Sequence, residues 1–126
     1  MRIGTDIVEI ERIRQACLRN SRFFAKILTG SELERYTQLG EQRQVEFLAG
    51  RFSAKEAYVK ALETGIGKIR FTDIEIGAKP SGAPCLIKAP IVDGVQLSIS
   101  HSQAYATATV LIELDEATLQ AQLARL

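Results

Sequence analysis

Cysteine and histidine are scarce in this chain. Cys17 and Cys85 are the only cysteines and His101 the only histidine among 126 residues. Two cysteines without ligand spacing exclude a disulfide framework and a zinc motif, so reduced thiols are expected. One histidine with no matching nucleophile pattern gives no catalytic triad. An excess of one charge is also missing. Sixteen Lys and Arg against fifteen Asp and Glu leave a net charge of +1, which argues against a nucleic-acid binder as a whole. No run approaches the roughly 18 apolar residues of a membrane helix, and the first residues lack an apolar signal region. Repeats, linkers and low-complexity segments are absent. The sequence is therefore expected to be cytosolic, with no membrane partner.

What is present is a folding composition, 46% hydrophobic and 25% charged, of a length that suits one domain over residues 1–126. Residues 2–10 alternate as a strand does, with Gly4, Asp6, Val8 and Ile10 on one side. Residues 11–19 predict a short helix. Thr29 with Glu32 and Ser31 with Glu34 form two overlapping capping boxes, either of which starts a helix ending near Gly40. Residues 45–60 read as one long helix that stops near residues 63–65, where Gly65 and Gly67 are the expected punctuation. The second half predicts strands over 71–77, 85–88, 95–100 and 105–114, the last two a hairpin. Asp115 can cap a final helix carrying Leu119, Leu123 and Leu126. The fold class is α+β: an N-terminal strand and helices around one long central helix, packed on an antiparallel sheet.

The long helix sets the chemical problem. At about 100° per residue, Val45, Leu48, Ala49, Phe52 and Val59 share a face with Glu56 in its middle and Lys60 at its edge. Gly50, Ala54, Ala57 and Ala61 form a small-residue row against which a neighbouring backbone can pack. A carboxylate on an apolar stripe is costly unless something engages it, and Asp6 poses the same question on its strand. If Asp6 and Glu56 meet, they share a proton or hold a cation. Magnesium needs only one or two protein carboxylates when a phosphate supplies the rest. Arg51, Lys55 and Lys60 on the same helix suit phosphate oxygens. A simple Glu56–Lys60 pair four residues apart explains the bases but not two acids at apolar positions.

Two other features are less specific. From residue 12 to 26, Arg12, Arg14, Arg19, Arg22 and Lys26 occur with no acid among them. They form either a solvated face or a docking surface for an acidic partner. His101 ends an alternating strand between Ser100 and Ser102, as a structural residue or a phosphate contact. Residues 64–68 carry glycines that serve a helix cap or a phosphate cradle.

Three blocks together go further: Ile3-Gly4-Thr5-Asp6-Ile7-Val8-Glu9-Ile10 with Arg12; Phe47-Leu48-Ala49-Gly50-Arg51-Phe52-Ser53-Ala54-Lys55-Glu56-Ala57 through Lys60-Ala61; and Leu97-Ser98-Ile99-Ser100-His101-Ser102 with Tyr105-Ala106. Their order and spacing resemble the holo-[acyl-carrier-protein] synthases, short bacterial 4′-phosphopantetheinyl transferases. The resemblance implies transfer of 4′-phosphopantetheine from coenzyme A to a serine of apo acyl carrier protein, with release of adenosine 3′,5′-bisphosphate, in support of fatty acid biosynthesis. It implies Asp6 and Glu56 as Mg2+ ligands, Lys60 in catalysis, and Arg51, Lys60, Gly65 and His101 as coenzyme A contacts; Lys55, from its place on the helix, is expected to join them, and Glu56 or a metal-bound water is expected to be the base for the serine. Arg12, Arg19, Arg22 and Lys26 are implied to dock the carrier protein. A homotrimer with interfacial sites is implied too, in which His101 serves a neighbouring subunit. Glu63 departs from the family, which usually has glycine there, and nothing after Asp115 matches a motif. A magnesium-dependent nucleoside diphosphate hydrolase and a basic adaptor for acidic proteins or RNA are the competing classes.

Overall fold

The computed structural model describes residues 1–65 and 67–126. Ile66, within the glycine loop singled out above, lies outside the described residues. The elements run β1 (Arg2–Glu9), α1 (Ile10–Arg19), α2 (Phe23–Ile27), α3 (Gly30–Thr37), α4 (Glu41–Leu62), a 3-10 turn (Phe71–Asp73), β2 (Glu75–Ala78), β3 (Pro84–Lys88), β4 (Val95–His101), β5 (Tyr105–Ile112) and α5 (Glu116–Leu123). This is the expected α+β order.

Strand β1 buries Gly4 and Val8 and turns Ile3, Thr5, Ile7 and Glu9 outward, as its alternation requires. It pairs antiparallel with β5, which pairs with β4. Asp6 stands opposite Ala108, and Ala108 opposite Ile99. The inner face of this sheet lies on α4. The contact is unusually close because the expected small-residue row meets backbone: a Cβ on Gly4 would strike Ala57 O and come within 2.7 Å of Ala61 N. Gly50 in the same row leaves room for Ile99.

Helix α4 passes between two apolar clusters. One gathers Tyr58, Leu62, Ile69, Ile74, Val110 and Leu119; the other gathers Val8, Ile10, Ile13, Ile27, Val45 and Leu48. Tyr58 is fully buried, yet its hydroxyl donates to Ile91 O (2.8 Å) and accepts from Ile91 N (2.9 Å). Burial pushes its phenol up to about 12. Of the two capping boxes, the chain uses Thr29 with Glu32.

Three local expectations differ from the structure. Residues 71–77 are not one strand. Asp73 accepts from Arg70 N (2.9 Å) and closes a 3-10 turn before β2 begins. Strands β2 and β3 form their own two-stranded sheet. Helix α2 has no counterpart in the expectation, since five residues are too few to show a helical period. It is fixed by packing, with Phe24 stacked on Tyr36 at 5.3 Å between centroids. Helix α4 ends on Glu63, not on a glycine. Glu63 takes the left-handed conformation (φ 63°) that usually favours glycine.

Candidate active site

Strand β1 and helix α4 bring the two unexplained acids together. Asp6 is largely buried, and its two carboxylate oxygens have different partners. Ser53 Oγ donates to Oδ2 at 3.0 Å, and Lys60 Nζ donates to Oδ1 at 3.1 Å. Lys60 also donates to Thr5 O (3.1 Å). Thr107 Oγ1 donates to the Asp6 carbonyl (2.7 Å), which ties the strand position to β5. Ser53, Glu56 and Lys60 sit at helical spacing on one side of α4. Glu56 is half-buried. Its carboxyl is pushed up, first by burial, then by the negative charge of Asp6, with Lys60 opposing. Among the described residues Lys60 pairs with Asp6 and not with Glu56, so the simple intrahelical pair is replaced by a cross-element contact.

The pair suits a hard cation. Among the described residues no group of three or more His, Cys, Asp or Glu could hold a metal alone. Two acids, one of them reluctant to ionise because of burial and then because of the other, would suit an ion that takes its remaining ligands from a bound phosphate and water.

Asp6 also opens into a cleft of about 370 Å³ lined by Arg12, Ile13, Arg19, Phe23 and Phe52. Arg12, Arg19, Arg22 and Lys26 are all exposed, and among the described residues none of the four is in an ion pair. Arg14 differs. It is bound to Glu11 (2.9 Å) and Gln42 (2.8 Å), so it belongs to the helix surface and not to the free patch. Leu18, on the same helix, is 74% exposed.

Lys55 corrects the expectation that it contacts coenzyme A. It is wholly buried, and its ammonium donates to Ile27 O (2.6 Å) and Glu32 Oε1 (2.6 Å). Glu32 in turn accepts from Thr29 N and Ile76 N, each at 2.8 Å. Burial pulls the Lys55 ammonium down, and Glu32 opposes that shift. The lysine is a bolt between α2, α3, α4 and β2, and its full burial keeps it from a ligand.

Arg51 occupies another side of α4. At about 100° per residue it points roughly 180° away from Lys60. Its guanidinium lies over the Phe47 ring (4.3 Å to the centroid), and burial lowers its affinity for a proton. Its Nε is buried without a hydrogen-bond partner. Arg51 lines a cavity of about 390 Å³ together with Arg35, Arg43, Gly77 and Gly82. Three guanidiniums around one space could hold an anion, although Glu32 and Glu75 also line it and Arg43 is paired with Glu46 (2.7 Å). Arg35 and Arg43 escaped sequence reasoning because they come from α3 and the start of α4. His101 is exposed at the end of β4, opposite Ala106. It is close enough to contribute to the lowered proton affinity of Glu46, behind the hydrogen bonds from Arg43 and Gln42. Lys60 lies about 21 Å farther along the helix at roughly 1.5 Å per residue. Gly65 has φ 73° in the loop after Glu63. The structure thus joins Asp6, Glu56, Lys60, Arg12 and Arg19, and sets Arg51 and His101 apart from them within one chain. Ser53 was missed, although its spacing three before Glu56 and seven before Lys60 was a visible signal.

Residues 2–110 match the family model of the 4′-phosphopantetheinyl transferase superfamily. Among similar proteins, the holo-[acyl-carrier-protein] synthase of Streptococcus mutans is 48% identical over 110 residues, covering 87% of this chain and 92% of that one. The protein of the same name from a Geobacillus strain is 50% identical over 112 residues, covering 88% and 94%. The crystal structure of a holo-(acyl-carrier-protein) synthase from Bacillus anthracis in complex with CoA (3′,5′-ADP) superposes with a TM-score of 0.82 at 44% identity, over 90% of this chain and 96% of that one. The Helicobacter pylori holo-[acyl-carrier-protein] synthase in complex with coenzyme A gives 0.77 at 34% identity, over 88% and 99%. The chain belongs to the holo-[acyl-carrier-protein] synthase family of the 4′-phosphopantetheinyl transferase superfamily.

Proposed function

We propose that the enzyme transfers 4′-phosphopantetheine from coenzyme A to a serine of apo acyl carrier protein, with Mg2+ at Asp6 and Glu56 and adenosine 3′,5′-bisphosphate as the other product. The observation that carries this reading is the shared cleft. Asp6, the acid of the candidate metal site, opens beside Arg12 and Arg19, the free bases suited to an acidic protein. A carrier protein docked on that patch would deliver its serine next to the acid pair. A hydrolase of small nucleotides needs no such surface.

The chemistry is an in-line displacement at the diphosphate. The serine oxygen forms a bond to the phosphorus that bears pantetheine, and the bond from that phosphorus to the bridging oxygen breaks. Adenosine 3′,5′-bisphosphate leaves with the electron pair. Glu56, or a water held beside it, accepts the serine proton. Lys60, held over Asp6 by a 3.1 Å contact, faces the diphosphate oxygens and offsets their charge. Ser53 keeps Asp6 in one orientation. When bound, the magnesium ion supplies further neutralisation of charge on those oxygens.

The nucleotide end of coenzyme A would lie in the cavity of Arg35, Arg43 and Arg51. That cavity and Asp6 face different sides of α4. This supports sites shared between copies, and the resemblance implies a homotrimer. The outer face of the three-stranded sheet, with Ile3 at 68% and Ile7 at 65% exposure, suits the contact between copies. His101 would then contribute phosphate contacts to a neighbouring site. No described helix is long and apolar enough to cross a membrane. A cytoplasmic place in fatty acid biosynthesis completes the proposal, and free thiols at Cys17 and Cys85 suit it.

Charge reversal at Arg12 and Arg19 to Glu tests the carrying observation. The KM for carrier protein should rise by on the order of tenfold or more, with the KM for coenzyme A little changed. An unchanged KM for carrier protein would remove the docking surface from the account.

A further inference from the structure

Strand β1 carries Asp6 and helix α4 carries Glu56 and Lys60, so the geometry of the acid pair depends on how the strand sits along the helix. Gly4 rests directly on the backbone of Ala57 and Ala61, and the ladder to β5 holds the strand in register with the sheet. Polar bonds at either end of β1 then fix those ends against α4. One end has Ser53 and Lys60 on Asp6 itself.

The other end is Arg2. Its side chain is only 9% exposed, and it serves three elements at once. Nη1 donates to Leu62 O at 2.7 Å, one of the carbonyls that the last turn of α4 leaves without a helical partner. Nε and Nη2 form a two-point pair with Glu116 at 2.9 and 3.0 Å. Glu116 is itself fixed. It opens α5, whose first turn is capped by Asp115 through Thr118 N (2.8 Å) and whose Leu119 is fully buried in the core. Helix α5 lies beyond the residues matched by the family model. Leu62 stands two residues from Lys60, and Arg2 four residues from Asp6 on the same strand.

We propose that Arg2, braced by Glu116 of the C-terminal helix, is a positioning residue for the Asp6–Glu56 cation site: it locks β1 against the end of α4 and so fixes the spacing of the two carboxylates. The inference rests on the metal reading above. A planar fork is needed because one group must reach a carbonyl and both oxygens of a carboxylate. Methionine fills the space without either bond.

Calorimetric titration of Mn2+ into the full chain with coenzyme A present and carrier protein absent measures the site without turnover. Arg2→Met should weaken Mn2+ binding about tenfold, the scale seen when groups that orient metal ligands are lost. Glu116→Gln should weaken it less, and the double variant should match Arg2→Met alone. The KM for carrier protein should stay within about twofold in all three, since the docking patch is untouched. Glu116→Gln serves as the informative variant if Arg2→Met does not fold. Wild-type affinity in the folded variants would overturn the inference while leaving the metal site standing. So would additive losses, or an equal rise in the KM for carrier protein. If the unaltered protein takes up no Mn2+, the metal reading itself falls and the inference with it.

Discussion

The hydroxyl of Ser53 lies 3.0 Å from Oδ2 of Asp6, on a fully buried position of α4. That bond aims one carboxylate oxygen while Lys60 holds the other. Ser53→Ala should therefore cost about 1 kcal/mol of stability and lower activity severalfold by loosening Asp6. Asp6→Ala should lower kcat by on the order of 10²–10³-fold, with the circular dichroism spectrum retained. Equal activities for the two variants would show that Asp6 has no role beyond holding Ser53.

Glu56 gives a stability prediction with a definite sign. Its native carboxyl is pushed up by burial and by Asp6, so the folded chain binds that proton more tightly than the unfolded chain. The stability it confers is present below the ordinary glutamate range and is lost as pH rises through the raised native value. At neutral pH, without metal or nucleotide, the ionised group is a burden. Glu56→Gln should raise the melting temperature there by on the order of a few degrees, and the gain should vanish in acid. Transfer activity should be lost at the same time. A variant that melts lower than the parent at neutral pH would show that Glu56 is already satisfied in the empty site.

Lys55 behaves as structure, not as a ligand contact. Removing its ammonium leaves Glu32 buried with two backbone donors and without its ion-pair partner. Lys55→Met should cost about 3–5 kcal/mol, and adding Glu32→Gln should restore part of it. Denaturant unfolding of the single and double variants measures both. A Lys55→Met protein of parental stability but raised KM for coenzyme A would return this residue to the substrate site.

Much of this arrangement was legible in the residues themselves. The α4 periodicity, the β1 alternation and the small-residue row were plain because each is a local pattern, and Asp6 and Glu56 stood out by breaking such patterns. Lys55 was misread because its partner Glu32 sits on another helix, and a lysine beside Glu56 looks solvent-facing until a buried carboxylate is placed opposite. The three-arginine cavity was hidden for a related reason, since α3, α4 and the β2–β3 sheet must be assembled before Arg35, Arg43 and Arg51 meet. Helix α2 and the 3-10 turn at Phe71–Asp73 depend on stacking and side-chain capping and not on period.

Separate faces for Asp6 and Arg51 predict complementation between copies. Asp6→Ala and Arg51→Ala, each defective alone, should regain activity after dissociation and reassembly together. In an equal mixture about one quarter of the shared sites unite two intact halves. Activity that stays at the level of the separate variants would place both halves in one chain's own site.

The central claim is the transfer itself, and the mass of apo acyl carrier protein tests it most directly. Incubated with this enzyme, coenzyme A and Mg2+, the carrier should gain one 4′-phosphopantetheine group. The gain should disappear with a chelator and with Asp6→Ala. A carrier whose mass does not change with Mg2+ present, or rises equally in the chelator, would contradict the account.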